Sequence, residues 1–278
     1  MPDTNPAHFS VSEPDPAYAD LSYRDSFWPS RKYEDRCDRM ALEAFLPKTG
    51  DRLIEVGAGF GRLADEYIGY REVVLLDLSA VQLAAARERL GDDPRYITVQ
   101  GSAFHLPFPD ASFDAVVCVR VIHHLDDPGP AIAEMARVLR PNGVLVLESS
   151  NKRNLKSIAL YALRRQRQSP FGPGSQIPED VSFMPRGTRK NTAAAAPPSD
   201  RPWSASTDVD HAPSDLRHWV EAAGLRIEAT RSVSLFRTPT LTRHVPLRLL
   251  TALERPFQAL VAPLTPGPSI VVRAIRNG

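Results

Sequence analysis

The sequence predicts an α/β fold in which a doubly wound, mostly parallel seven-stranded sheet carries helices on both faces. Three observations predict it. Short apolar runs at residues 53–56, 73–76, 96–99, 115–119 and 144–147 alternate with segments of helical length. The fourth run is almost continuously apolar, as strands buried on both faces are. Two more strand-like runs, 225–235 and 270–275, follow a long interruption and bring the count to seven. Strands joined by helix-length crossovers lie parallel, and the crossovers then cover both sides of the sheet.

Each element has a local cause. A first helix spans about residues 33–46, with Cys37, Met40, Ala41, Ala44 and Phe45 on one face, and Pro47 and Gly50 end it. A helix expected from Gly61 carries Leu63 and Tyr67 inward. Ser79 caps a helix that presents Leu83, Ala86 and Leu90 and stops at Gly91. Asp127-Pro128 opens another, with Ile132, Met135, Ala136 and Leu139 on one side, and Arg140-Pro141-Asn142-Gly143 turns the chain into the fifth strand. Ser214-Asp215 caps a helix whose Leu216, Trp219, Val220 and Ala223 share a face. In the strand that follows, Leu225, Ile227, Ala229, then Val233 and Leu235, alternate with polar residues, and a Leu-rich segment over 241–262 precedes the last strand.

These elements divide the chain into a tail with an aromatic–basic cluster (1–32), a core (33–150), a variable insertion after the fifth strand (151–212) and a completion of the sheet (213–278). Residues 1–20 are rich in Pro, Asp, Ala and Ser without any period, and read as a loose tail. Tyr23, Phe27, Trp28 and Tyr33 interleaved with Arg24, Arg31 and Lys32 form a cluster that either folds over a site as an N-terminal lid or packs on the domain. The insertion contains the low-complexity run 192–198 and is expected to be partly disordered around 187–205.

Composition excludes several classes. Hydrophobic residues at 42% and charged residues at 24% over 278 positions suit a globular domain with a real core. A net charge of +1 argues against a general nucleic-acid partner, and no apolar run approaches the ~20 residues of a transmembrane segment. The two cysteines, Cys37 and Cys118, read as small core side chains without the neighbours of a zinc site, so no metal is expected and the cytoplasmic compartment is the default.

The chemistry centres on Glu55-Val56-Gly57-Ala58-Gly59-Phe60-Gly61-Arg62. A strand, a glycine-rich turn and then Asp77 at the tip of the next strand is an arrangement for holding a nucleoside cofactor. A dinucleotide fingerprint is a poor fit. Gly61 comes one position early, and Arg62 occupies the slot that serves close helix–strand packing. Glu55 at the mouth of the turn suits a cationic ligand better than a pyrophosphate.

Four segments in this order and spacing resemble the class I S-adenosylmethionine-dependent methyltransferases, a Rossmann-like family, and most nearly its small-molecule group with the quinone-ring enzymes. They are the glycine turn; Leu75-Leu76-Asp77-Leu78-Ser79; Gly101-Ser102-Ala103-Phe104-His105-Leu106-Pro107-Phe108; and Phe113-Asp114-Ala115-Val116-Val117 through His123-His124-Leu125. The resemblance covers residues 36–149 well and 213–277 loosely. It implies that S-adenosyl-L-methionine is the cofactor, with Gly57, Ala58 and Gly59 along its methionine part and Glu55 at the mouth. Asp77 would accept from both ribose hydroxyls, with Leu78 beside the adenine. Ser102, Ala103 and Phe104 would contact the adenine, Ser102 standing where the family usually has an aspartate, and Val119 would lie under the sulfonium.

The implied reaction is methyl transfer to a small, apolar or amphipathic acceptor. His123 and His124 are the nearest candidates for a base, although a structural or cofactor-shell role for both is favoured. The alternatives are a non-catalytic S-adenosylmethionine-binding regulatory or scaffold protein, and a nicotinamide-dependent oxidoreductase. After Glu148, the basic residues Lys152, Arg153, Lys156, Arg164, Arg165 and Arg167 occur with no acid before Glu179. That stretch reads as a solvated helix face, a lid for an anionic substrate, or a peripheral contact with an anionic membrane. The Leu-rich segment is read either as a wall of an acceptor pocket or as a crossover packed on the sheet.

Overall fold

The computed structural model describes residues 20–125, 127–163, 169–171, 175–176 and 209–278. Five parallel strands come first: β1 (Gly50–Val56), β2 (Tyr70–Asp77), β3 (Tyr96–Gln100), β4 (Phe113–Cys118) and β5 (Leu139–Ser150). A short antiparallel pair, β6 (Ser175–Gln176) and β7 (Val209–Asp210), stands outside the main sheet. Then β8 (Leu225–Val233) and β9 (Ser269–Arg276) complete it antiparallel, giving the order β3-β2-β1-β4-β5-β9-β8. The order reverses between β1 and β4, and a crevice opens at such a switch point beyond the carboxyl ends of the strands.

The helices are α1 (Lys32–Phe45), α2 (Ala80–Leu90), α3 (Gly129–Val138), α4 (Leu155–Ala162), α5 (Pro213–Ala222), α6 (Pro239–His244) and α7 (Leu247–Leu260). Strand alternation sorts the core into two faces. Ile54, Val74, Val116, Leu145 and Val272 bury toward Ile132 and Met135 of α3 and Leu216 and Val220 of α5. Leu53, Val73, Ala115, Val144 and Val271 bury toward Ala41, Leu42 and Phe45 of α1. Cys37 and Cys118 are both fully buried free thiols.

Three expectations need correction. No α-helix follows the glycine turn: residues 60–63 are turns, and only a 3₁₀ turn, Ala64–Tyr67, comes after. Gly61 is left-handed (φ 70°), and Arg62 is drawn aside to Asp35 and Asp38 of α1 at 2.5 and 3.0 Å. Leu63 and Tyr67 still face inward. Second, Arg140–Gly143 does not precede β5 but loops out of it. Phe113 pairs with Leu139 and Ala115 already with Val144, with Asn142 at φ 64°. Third, a bulge between Ile227 and Ala229 switches β8 from one face to the other. Leu225 and Ile227 pack on the α3/α5 side, Ala229 and Val233 on the α1 side.

The segment ahead of α1 crosses the carboxyl end of the sheet. Phe27 and Trp28 bury against Phe60 of the turn and Ala85 of α2, and Gln82 donates to the Asp20 carbonyl at 2.7 Å. The tail over 1–19, the low-complexity run, and Arg164, Arg165 and Arg167 lie outside the described residues.

A buried carboxyl ties the late helices to the first. Glu254 of α7 accepts from the Tyr33 hydroxyl at 2.5 Å and from the Ser234 amide at 2.7 Å, with Ser234 left-handed at φ 63°. Replacing Glu254 with Ala is expected to cost about 3 kcal/mol by stranding both donors. Urea denaturation checks this through a lower midpoint at unchanged slope. Glu254→Gln, which keeps an acceptor, is expected to lose less.

Candidate active site

A pocket opens at the carboxyl ends of β1, β2 and β4. Its floor is the glycine turn. Gly57 is left-handed (φ 77°), and a Cβ there would lie 2.1 Å from Val121 Cγ2, so the backbone itself is the wall. Gly59 is also left-handed, with Tyr23 of the N-terminal segment across from it.

Asp77, the last residue of β2, is fixed by this turn and fixes it in return. Its Oδ2 accepts from the Gly59 amide and its Oδ1 from the Ser79 amide, both at 2.8 Å. Burial raises its pKa against the opposing pull of those amides. A carboxylate has about four acceptor sites, so capacity beyond the Gly59, Ser79 and Leu78 amides remains for a ligand hydroxyl. The sequence shows the carboxylate at the strand tip but not its grip on Gly59.

The remaining expected residues separate into two sets. Gly57, Gly59, Asp77, Leu78, Ser102, Ala103, Phe104, Val119 and His124 share the walls of this pocket. Ser102 Oγ accepts from the Phe104 amide at 3.3 Å, which shapes the loop after β3. Glu55, Ala58 and His123 are not among the walls. Strand alternation turns Glu55 to the α1 face, beneath Arg62 and Tyr67, and Ala58 packs in that same core. His123 stands beside His124, ring centroids 4.1 Å apart, on the 3₁₀ turn Ile122–His124.

Glu55 is the unusual group. Its side chain is fully enclosed, and neither its Oε2 nor the Tyr67 hydroxyl beside it has a hydrogen-bond partner of ordinary geometry. Burial pushes its pKa up to about 8 despite the Arg62 guanidinium. A buried carboxyl whose polar neighbours are the Tyr67 hydroxyl and the Arg62 charge is a place for a further cationic group to act.

Tyr23 and Arg120 also line the pocket, and sequence reasoning missed both as site residues. Arg120 follows β4 in a left-handed conformation (φ 61°). Its amide donates to Glu148 at 2.9 Å, and its guanidinium forks onto Asp38 at 2.9 and 3.2 Å. Asp38 also holds Arg62, whose guanidinium sits 3.6 Å from the Trp28 ring centre. Arg62, the misfit in the dinucleotide pattern, therefore clasps the N-terminal segment instead of packing on the sheet. A lone arginine after a strand carries no sequence signal for this; the aromatic–basic cluster around Trp28 was the available hint.

Comparisons with known proteins show what this geometry is similar to. Residues 54–147 match the family model described as a methyltransferase domain. Residues 54–147 are thus similar to a methyltransferase domain. A 27-O-demethylrifamycin SV methyltransferase of Amycolatopsis mediterranei is 32% identical over 161 residues, 52% of this chain and 59% of that protein. The ubiquinone/menaquinone biosynthesis C-methyltransferase of Cellvibrio japonicus is 33% identical over 141 residues, 48% of this chain and 57% of that protein. The chain thus spans little more than half the length of these two relatives. A solved S-adenosylmethionine-dependent methyltransferase of Thermotoga maritima shares the fold, with TM-score 0.60 and 16% identity over 94% of this chain and 98% of that one. The matched residues coincide with the strands that build the pocket, and outside them lie α1, the N-terminal segment, α4 to α7 and the last two strands.

Proposed function

We propose that this chain is an S-adenosylmethionine-dependent methyltransferase acting on a small, apolar or amphipathic acceptor. The observation that carries the reading is the Asp77 carboxylate, tethered to Gly59 with acceptor capacity to spare, at the mouth of the switch-point pocket. Asp77 would hold the ribose, Leu78, Ala103 and Phe104 the adenine, and the left-handed backbone at Gly57 and Gly59 the methionine part. Glu55, held protonated near neutrality by burial, would ionise in response to a cationic ligand and then supply negative potential. S-adenosylmethionine supplies an already activated methyl group on its sulfonium.

The protein's task is then to align the acceptor and exclude water. Val119, Val121 and Leu125 give the pocket apolar walls, and Tyr23 closes it from the N-terminal side. These walls favour an acceptor with an apolar body. His124 is the histidine of the pair that reaches the pocket, so it is the one placed to take a proton from an acceptor that must lose one. Free, buried Cys37 and Cys118 are in keeping with a cytoplasmic setting.

Calorimetric titration tests the cofactor. Binding of S-adenosylmethionine and S-adenosylhomocysteine is expected, and binding of NADH but of neither sulfur ligand would overturn the reading. His124→Gln is expected to spare cofactor binding. Turnover that falls about a hundredfold in that variant assigns the base, and unchanged turnover leaves methyl transfer needing none.

A further inference from the structure

The second half of the chain turns leucine outward. Ten of the fourteen exposed large apolar side chains among the described residues fall in two segments, 155–163 and 241–264. In α7 the fold buries Leu250, Glu254 and Gln258 at i, i+4 and i+8, a mostly polar stripe spent on hydrogen bonds. Leu249, Leu253, Phe257 and Leu260 form a second stripe about a quarter-turn or more away and remain exposed, Leu249 at 51% and Leu260 at 73%. A helix that buries a carboxylate and exposes its leucines has an apolar face the fold itself does not use.

The two segments meet at one junction. Asn151, just past β5, donates through its side chain to the Thr265 and Gly267 carbonyls at 2.6 and 2.7 Å, and the Leu155 amide donates to the Pro266 carbonyl at 2.9 Å. Leu155 (65% exposed) and Leu264 (78%) thus flank the same junction. The connection from β8 to β9 leaves and returns at the carboxyl end of β5, the end where the pocket opens: Val233 and Ser150 both pair with Ser269.

Charge selects the occupant. Between Glu228 and the last residue the only acid is Glu254, which is fully buried, and residues 149–178 contain none. Lys156, Arg243 and Arg248 are exposed and make no ion pair among the described residues, whereas Arg255 is engaged with Glu43 of α1. Against a second copy, a two-fold contact would set this acid-free basic rim against itself. Exposed apolar side chains on segments that also carry unpaired cations match the boundary between headgroups and acyl chains of an anionic bilayer.

We propose that these two segments dock on an anionic lipid surface, with the α7 leucines at the acyl boundary and Lys156, Arg243 and Arg248 against lipid phosphates. No helix among the described residues is long and apolar enough to cross a membrane, so the attachment is peripheral. The docking stands independently of methyl transfer.

Co-sedimentation of the full chain with vesicles tests it. Pelleting is expected with phosphatidylcholine–phosphatidylglycerol vesicles at low salt, with little on pure phosphatidylcholine, and weakening as salt rises. The triple variant Leu249→Ser, Leu253→Ser, Leu260→Ser changes only exposed positions and is expected to lose about tenfold or more of the partitioning. Arg243→Glu with Arg248→Glu is expected to abolish the preference for anionic vesicles, and circular dichroism checks that both variants fold. The proposal is overturned by absence of pelleting at low salt, by pelleting that neither variant weakens, or by a dimer in solution that the leucine variant dissociates, which would assign the face to a second copy.

Discussion

Replacing Asp77 with Ala is expected to reduce S-adenosylhomocysteine affinity by about a hundredfold or more, read by calorimetry. Two losses combine. The ribose hydroxyls lose a charged acceptor, at about 1.5–3 kcal/mol for each hydrogen bond. The turn also loses its tether, because the Gly59 amide is held only 2.8 Å from Oδ2. An untethered left-handed glycine regains backbone freedom that the ligand must then remove. Asp77→Asn separates the two effects. Its amide keeps one oxygen, enough for either the Gly59 or the Ser79 amide but not both, so an intermediate loss of about tenfold is expected. A fall of less than about threefold in the folded Ala variant would remove Asp77 from the binding site and the proposed cofactor with it.

The sheet could be read from the sequence because burial on two faces writes itself into composition. Strands such as β4, enclosed by α1 on one side and α3 on the other, are apolar apart from Asp114 near the strand's start. What escaped were places where the backbone changes phase. The loop-out at Arg140–Gly143 and the bulge after Ile227 each alter which face a residue meets without altering its type. The turn after Gly61 read as a helix because Leu63 and Tyr67 keep helical spacing. The force that breaks the helix there, Arg62 drawn to Asp35 and Asp38, comes from a segment more than twenty residues earlier.

The site divides in the same way. Asp77, the glycines and Ser102 to Phe104 sit at strand ends, so locating the strands located them. Tyr23 and Arg120 reach the pocket through tertiary contacts alone: Tyr23 is carried there by the packing of Phe27 and Trp28 on Phe60, and Arg120 is anchored by Asp38, eighty-two residues away in the chain. Charge misled at one point. A carboxylate at residue 55 was expected at the mouth of the turn, but it lies behind the backbone, beside Arg62 and Tyr67 and outside the pocket walls.

That placement makes Glu55 the source of a pH dependence with a definite sign. Its ordinary pKa of 4.5 rises to about 8 in the folded protein, so between these values the folded state holds a proton that the unfolded chain has released. Stability from this group is therefore full below about pH 4.5 and is lost as pH rises toward 8. Glu55→Gln, neutral throughout, is expected to flatten that part of the decline, seen as a melting temperature less sensitive to pH over the window. Ligand binding has the opposite slope. A cation above the turn favours the ionised carboxylate, so binding near neutrality expels the proton, and affinity for S-adenosylmethionine is expected to rise by up to about tenfold per pH unit below the Glu55 pKa. Measurements between about pH 6 and about pH 7.5 keep the ligand's own ammonium protonated. If Glu55 senses the sulfonium, S-adenosylhomocysteine, which lacks it, shows a shallower slope; if it senses the ammonium, both ligands rise together. Either way the slope vanishes in Glu55→Gln. A slope retained in that variant would assign the proton elsewhere, with Asp77, whose pKa burial also raises, as the next group to replace.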